Sequence, residues 1–73
     1  MITVAELETR FTYHKPTGNQ PVYYEEIRGR AHELAFRLLD VCPESRELSL
    51  AITKLEEAVM WANAAIARRS QED

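Results

Sequence analysis

The sequence predicts an all-α fold in which a short N-terminal helix precedes a long antiparallel αα-hairpin. Two stretches with apolar residues at steps of three and four predict the long helices. The short turn around Pro43 makes these helices antiparallel neighbours. The chain has 73 residues and Cys42 is its only cysteine, and small scaffolds without disulfides commonly gain stability by self-association. We therefore expect residues 1–73 to form one helical-hairpin domain that assembles into a homo-oligomer.

Local signals place each element in order. Thr3 followed by Glu6 has the spacing of a capping box and predicts the start of the short helix. Pro21 suits the first position of the first long helix, and Pro43 marks its end. The elements expected in chain order are a short helix over about 3–10, a loop over 11–20, long helices over 21–42 and 43–69, and a frayed tail over 70–73.

The apolar positions of the two long helices define the seam along which the helices should pack. Residues three and four apart share a helix face, so each seam can be read from the spacing. The seam residues of the first long helix are Tyr24, Ile27, Ala31, Leu34, Leu38 and Val41. Those of the second are Leu48, Ile52, Leu55, Val59, Ala62 and Ile66.

The second long helix has a further apolar face that one partner helix cannot cover. Leu50 and Trp61 lie nearly opposite the seam, and alanines at 51, 58 and 65 on one flank would let another helix approach closely. Large exposed apolar patches are unusual on monomers. We interpret this face as an oligomer interface. The alternative is a helical protein–protein interaction module that binds another protein through the Leu50–Trp61 face.

Charge and composition argue against several classes of function. The net charge of −3 disfavours general DNA or RNA binding, which depends on a basic surface. The sequence has neither a run of about 18 apolar residues nor a signal-peptide pattern, so we expect neither a membrane span nor secretion. Cys42, His14 and His32 lack zinc spacing, and nothing supplies the orienting third group that a nucleophile and base require. We expect a cytoplasmic protein that is not an enzyme and uses no metal or cofactor.

The loop "FTYHKPTGNQP", which begins at Phe11, carries three rings and a lysine besides ordinary turn residues. Tyr13, His14 and Lys15, with Arg28 near the start of the next helix, could bind a flat anionic ligand, because bases stack on aromatic rings and phosphate binds Arg and Lys. In the other interpretation, Phe11 and Tyr13 pack the loop onto the hairpin while His14 and Lys15 are solvated. Composition alone favours packing, with Phe11 as the anchor.

Several segments resemble a known family. "FTYHKP", then a glutamine and a tyrosine ahead of "IR", then "CPESRELSLAITKLEEAVMWANAAIAR" are similar to the helical-hairpin family of phage anti-CBASS sponges, which is related to the hairpin domain of anti-Thoeris sponges. The resemblance covers Phe11 to Arg68. It implies a small helical protein that forms a hexamer in the cytoplasm of the infected bacterial host. Such a protein would sequester cyclic oligonucleotide immune signals without cutting them.

The resemblance also implies ligands and contact residues. Cyclic dinucleotides such as cyclic GMP–AMP are the expected ligands, with cyclic trinucleotides at separate sites, and the related anti-Thoeris proteins make a cyclic ADP-ribose isomer the alternative ligand. By position, Tyr13 resembles the aromatic residue that stacks on a base, and Arg28 resembles the basic residue that meets phosphate. Further expected contacts, without assigned roles, are Thr12, His14, Lys15 and Arg68.

Overall fold

Three α-helices make up the part of the chain that the computed structural model describes, residues 2–69: α1 (Val4–Phe11), α2 (Gln20–Val41) and α3 (Arg46–Arg69). These residues contain no strand. The expected all-α fold is therefore confirmed, while assembly into an oligomer remains a prediction. The tail expected to fray, 70–73, lies outside the described residues.

α1 begins beside the capping residue that the sequence predicts. The Thr3 hydroxyl accepts a hydrogen bond from the Glu6 backbone amide at 3.1 Å, which satisfies one free N–H group of the first turn. In a complete capping box the Glu6 side chain would bind back to Thr3. Here the Glu6 carboxylate instead accepts a hydrogen bond from Arg69 Nη2 at 2.7 Å. Glu6 therefore fastens α1 to the end of α3.

α2 starts at Gln20, one residue earlier than expected, so Pro21 occupies the second helical position. Proline is tolerated there because the N–H groups of the first turn have no partner within the helix. The helix ends at Val41, and the Cys42 amide still donates to the Leu38 carbonyl at 2.9 Å.

α3 starts at Arg46 rather than at residue 43. The reason lies in Ser45, whose hydroxyl oxygen accepts a hydrogen bond from the Leu48 backbone amide at 3.1 Å and so caps the helix. The same hydroxyl donates to the Pro43 carbonyl at 3.0 Å. The Ser45 hydroxyl therefore both closes the turn and caps the start of α3.

α2 and α3 pack against each other along the seam, and the start of α2 lies beside the end of α3. All six seam residues predicted on α3 are half-buried. On α2, Leu34 and Val41 are exposed, so the prediction is wrong at these two positions, and Ala35 is half-buried instead. At 3.6 residues per turn, both residues lie roughly 60–80° from the centre of the half-buried face.

The hairpin is a single layer of helices, with a smallest dimension of 14 Å. Among the described residues no apolar side chain is fully buried. Trp61 is 66% exposed and Leu50 is 45% exposed, and the three flanking alanines of that face are exposed as well. Because small domains with so little burial are marginally stable alone, this surface is consistent with the expected self-association.

Candidate ligand-binding site

The loop over residues 12–19 is held near its start by a histidine. His14 Nε2 lies 3.0 Å from the Thr9 carbonyl oxygen. Because a carbonyl oxygen only accepts, the matching tautomer carries its proton on Nε2. Further along, Gly18 has a φ of 54°, a left-handed conformation that glycine adopts without steric cost.

The end of the loop is fixed by Gln20, which is only 4% exposed and is the one buried side chain among residues 2–69. Its side-chain oxygen accepts a hydrogen bond from the Thr17 backbone amide at 3.0 Å. Its side-chain nitrogen donates to the Ile66 carbonyl at 3.1 Å. One amide therefore joins the loop, the start of α2 and the end of α3.

Phe11 does not anchor the loop, contrary to the sequence-based expectation. Its side chain is 84% exposed, and Tyr13 is 81% exposed. The physical reason is that polar contacts do the anchoring: His14 and Gln20 bind the backbone carbonyls of Thr9 and Ile66. Both aromatic rings of the loop start are thus left free in the single chain.

The loop over residues 12–19 forms one wall of an open depression with a volume of about 550 Å³. α2 contributes Tyr24 and Arg28, which are four residues apart and therefore share a helix face. α3 contributes residues at three-four spacing near its C-terminal end. Among the described residues, the lining consists of Thr12, Tyr13, His14, Tyr24, Arg28, Met60, Asn63, Ala64, Ala67 and Arg68.

Five of the six contact residues suggested by the sequence line this one depression, and Lys15 does not. The sequence predicted Tyr24 as a seam residue, and it is half-buried there. The sequence did not predict that Tyr24 also lines the depression, as it does. Met60 and Asn63 were missed. The available signal for Asn63 was its position as the lone polar residue in the alanine-rich segment "ANAAIA".

The depression is electropositive although the chain carries a net charge of −3. Arg28 and Arg68 line it, and no carboxylate of the described segment does. Arg28 forms no ion pair with any residue in 2–69, and Arg68 Nη2 donates to the Arg10 carbonyl at 3.4 Å rather than to an acid. By contrast Arg30, two residues from Arg28, is paired with Glu26 at 3.2 Å. Anionic ligands are therefore favoured at this position.

A second depression, of about 600 Å³, shares Arg68 but has a different character. It contains Phe11 and Trp61 together with Glu6, whose carboxylate binds Arg69 at 2.7 Å and Arg10 at 3.3 Å. The Arg69 hydrogen bond is the main reason that the pKa of Glu6 lies below its ordinary value. Of its three arginines, Arg10 and Arg69 already bind the single carboxylate, Glu6, and only Arg68 has no acid partner among residues 2–69, so this depression suits an anion less well.

The family of the chain follows from a comparison with protein-family models. The model described as "Acb2/Tad1, hairpin domain" matches residues 4–67, which include all of α1, the loop and α2, and nearly all of α3. The chain belongs to the Acb2/Tad1 hairpin family. This is the family of anti-CBASS and anti-Thoeris sponges, so the resemblance read from the sequence is confirmed. Comparisons with curated proteins and with solved structures give no match.

Membership in the Acb2/Tad1 hairpin family assigns a sponge-type anti-defence role, in which a ligand is sequestered rather than converted. Within residues 2–69, no group of three or more His, Cys, Asp or Glu side chains could hold a metal ion. Cys42 lies at the turn between α2 and α3, at the opposite end of the hairpin from His14. No helix in this part of the chain is long and apolar enough to cross a membrane.

Proposed function

We propose that this protein is a non-enzymatic sponge that sequesters cyclic oligonucleotides, above all cyclic dinucleotides such as cyclic GMP–AMP. By holding the signal in the cytoplasm of an infected bacterium, it would keep a CBASS effector inactive to the benefit of a phage. One observation carries the proposal: Tyr13 and Tyr24 share a depression with Arg28 and Arg68, and no carboxylate among residues 2–69 lines it. Aromatic rings stack on bases, and arginine binds phosphate in a bidentate manner.

The symmetry of the ligand supports binding between copies of the chain. A cyclic dinucleotide has two bases and two phosphates related by a near two-fold axis. The two rings and two arginines of one depression are not equivalent, because Tyr13 is 81% exposed while Tyr24 is half-buried, and Arg68 already binds the Arg10 carbonyl. A two-fold interface would give each half of the ligand one Tyr13 and one Arg28. The homo-oligomer we propose is a hexamer, as the resemblance to the sponges implies, with cyclic trinucleotides at separate sites.

Calorimetric titration with a panel of cyclic di- and trinucleotides and a cyclic ADP-ribose isomer tests the proposal. We expect saturable binding of at least one cyclic dinucleotide. Heat denaturation of the complex should release the ligand intact, because a sponge does not cleave it. Binding to nothing in the panel would refute the proposal, and binding of the ADP-ribose isomer alone would replace it with the anti-Thoeris alternative.

A tyrosine pair tests the stacking contact. Tyr13→Ala removes a ring worth about 1–3 kcal/mol per stacked base, which corresponds to a roughly 5- to 150-fold loss of affinity. Tyr23→Ala is the matched control, since Tyr23 is a partly exposed tyrosine of α2 that does not line the depression. Equal losses in both variants would indicate a general effect on folding rather than loss of a ligand contact.

An arginine pair tests the phosphate contact. Arg28→Ala should weaken cyclic dinucleotide binding about tenfold or more, because hydrogen bonds to charged groups contribute about 1.5–3 kcal/mol. Arg30→Ala removes the same charge from the same helix, but Arg30 is already paired with Glu26. The affinity of the Arg30→Ala variant for the cyclic dinucleotide should stay near that of the wild type. If Arg28→Ala and Tyr13→Ala both bind normally, the ligand lies elsewhere on the protein.

The exposed Leu50–Trp61 face favours a second candidate function, a module that binds a host protein. Trp61 is 66% exposed in the single chain, and exposed aromatic residues are enriched in protein interfaces. Sedimentation analysis separates the two functions. A stable monomer that retains this exposed face would favour the host-protein module, whereas a hexamer that covers Trp61 would favour the sponge.

A further inference from the structure

Asn63 stands out within the last turns of α3. It interrupts the segment "ANAAIA", in which the other residues are small or apolar. Asparagine is disfavoured in a helix interior relative to alanine, because its side chain competes for backbone hydrogen bonds. Alanine, which is present at both adjacent positions, would favour the helix more. The choice of asparagine therefore calls for a reason other than helix formation.

One atom of the Asn63 side chain, its amide oxygen, has no partner within residues 2–69. Its side-chain oxygen is shielded from solvent and accepts no hydrogen bond from any residue of the described chain. Buried polar atoms are almost always paired, so an exception points to a missing partner such as a ligand. Asn63 lines the same depression as Tyr13 and Arg28. Rotation about its soft terminal torsion can turn the oxygen towards that depression.

The chemistry of the amide indicates which base it would select. An asparagine offers one acceptor and one donor side by side. Adenine carries a complementary amino donor and ring-nitrogen acceptor on both of its hydrogen-bonding edges, through N6 with N7 or N6 with N1. Guanine presents only acceptors on its N7 edge, which would leave the Asn63 oxygen unpaired. Adenine can therefore pair with Asn63 in either orientation, and guanine in only one.

We infer that Asn63 is a specificity-determining residue that accepts a hydrogen bond from the amino group of adenine. The inference rests on the proposed function and adds to it the identity of the base. Tyr13 would stack on the base, Arg28 would bind phosphate, and Asn63 would read the base edge. Ligands that combine adenine with phosphate should therefore be preferred to their guanine counterparts.

Parallel titrations of the full chain with cyclic di-AMP and cyclic di-GMP test this inference. The wild type should bind cyclic di-AMP about tenfold more tightly or better, the discrimination typical of one bidentate amide–adenine pair. Asn63→Leu keeps the branched shape and the number of side-chain heavy atoms, removes both polar atoms and should abolish the preference. Asn63→Ala is the second variant in case leucine prevents folding. Thr53→Ala, an exposed position of α3 outside the depression, is the control.

Thermal unfolding without ligand gives a second, independent measurement. Because both substitutions at Asn63 remove an unpaired buried oxygen and introduce a better helix former, the unfolding midpoint should rise. A fall in the midpoint of both variants would mean that the amide has a structural partner and would overturn the inference.

The outcomes separate the inference from the function on which it rests. A wild type that binds neither cyclic dinucleotide refutes the proposed sponge function and the inference with it. A wild type that binds both ligands equally, or that prefers cyclic di-GMP, overturns the inference alone. The same holds if the preference for cyclic di-AMP persists in the Asn63 variants.

Discussion

Gln20 should be the side chain whose loss most directly releases the loop from the hairpin. It is only 4% exposed and makes hydrogen bonds of 3.0 Å to Thr17 and 3.1 Å to Ile66. Each such bond contributes about 0.5–1.5 kcal/mol net, so Gln20→Ala should lower the free energy of unfolding by about 1–3 kcal/mol. Because the same contacts position the loop that carries Tyr13, ligand affinity should fall as well.

Gln20→Glu distinguishes the two hydrogen bonds. Glutamate still accepts from the Thr17 amide, but at neutral pH it turns an acceptor towards the Ile66 carbonyl in place of a donor. We expect a loss of stability at least as large as that of Gln20→Ala. Burial and the facing carbonyl should raise the pKa of the new carboxyl in the folded state above the ordinary value of about 4.3. The loss should therefore shrink as the pH falls, because the protonated carboxyl can donate again.

Urea denaturation followed by circular dichroism measures both variants, at one fixed protein concentration because assembly would contribute to stability. The control is Glu25→Ala, an exposed position of the same helix, which should change the unfolding free energy by no more than about 0.5 kcal/mol. Equal stability of Gln20→Ala and Glu25→Ala would refute the assigned role. A Gln20→Glu variant as stable as the wild type at pH 7 would show that the Ile66 contact contributes nothing.

Two further predictions concern α1 and the exposed face of α3. Arg69, and to a lesser extent Arg10, lower the pKa of Glu6. The ionised Glu6 carboxylate therefore stabilises the folded chain at pH values above the ordinary carboxyl range, and this stabilisation should be lost as the pH falls through the lowered pKa. An NMR titration of the Glu6 carboxyl should show this, with Arg69→Ala moving the midpoint back towards the ordinary value. If copies cover the 66% exposed Trp61, its fluorescence should shift to longer wavelength on dilution, and a solvent-exposed spectrum at every concentration would contradict this.

The hairpin could be predicted because its signals are local. Apolar spacing identifies both long helices, and the Thr3 cap is a contact between residues three apart. The predictions were wrong where the burial of a residue depends on its exact angle around the helix axis, or where the start of a helix depends on one hydrogen bond. Leu34 and Val41 satisfy the spacing but lie at the edge of the packed face, and the start of α3 is decided by the Ser45 cap.

Only part of the candidate site could be predicted from the sequence, because the residues that line it come from distant parts of the chain. Tyr13 and Arg28 stand out chemically and lie fifteen residues apart. The alanine-rich segment marks Asn63 as unusual, but nothing local places Asn63 or Met60 in the depression, since only the hairpin brings the end of α3 to the start of α2. The error at Phe11 has the same origin, because whether an aromatic residue packs depends on tertiary contacts that local pattern does not encode.

Local charge balance, rather than net charge, explains how an acidic chain could attract an anion. Arg68 and Arg69 end α3, where either cation would suit the helix dipole. Their neighbours give them different roles. The Glu6 carboxylate binds both Arg69 and Arg10 at one side, and its ion pair with Arg69 holds α1 to the hairpin. Within residues 2–69, Arg68 binds a backbone carbonyl, has no acid partner and lines the depression. Because Glu6 is engaged by Arg69 and Arg10, the charge of Arg68 stays unbalanced within residues 2–69, and we expect it to be available to an anionic ligand.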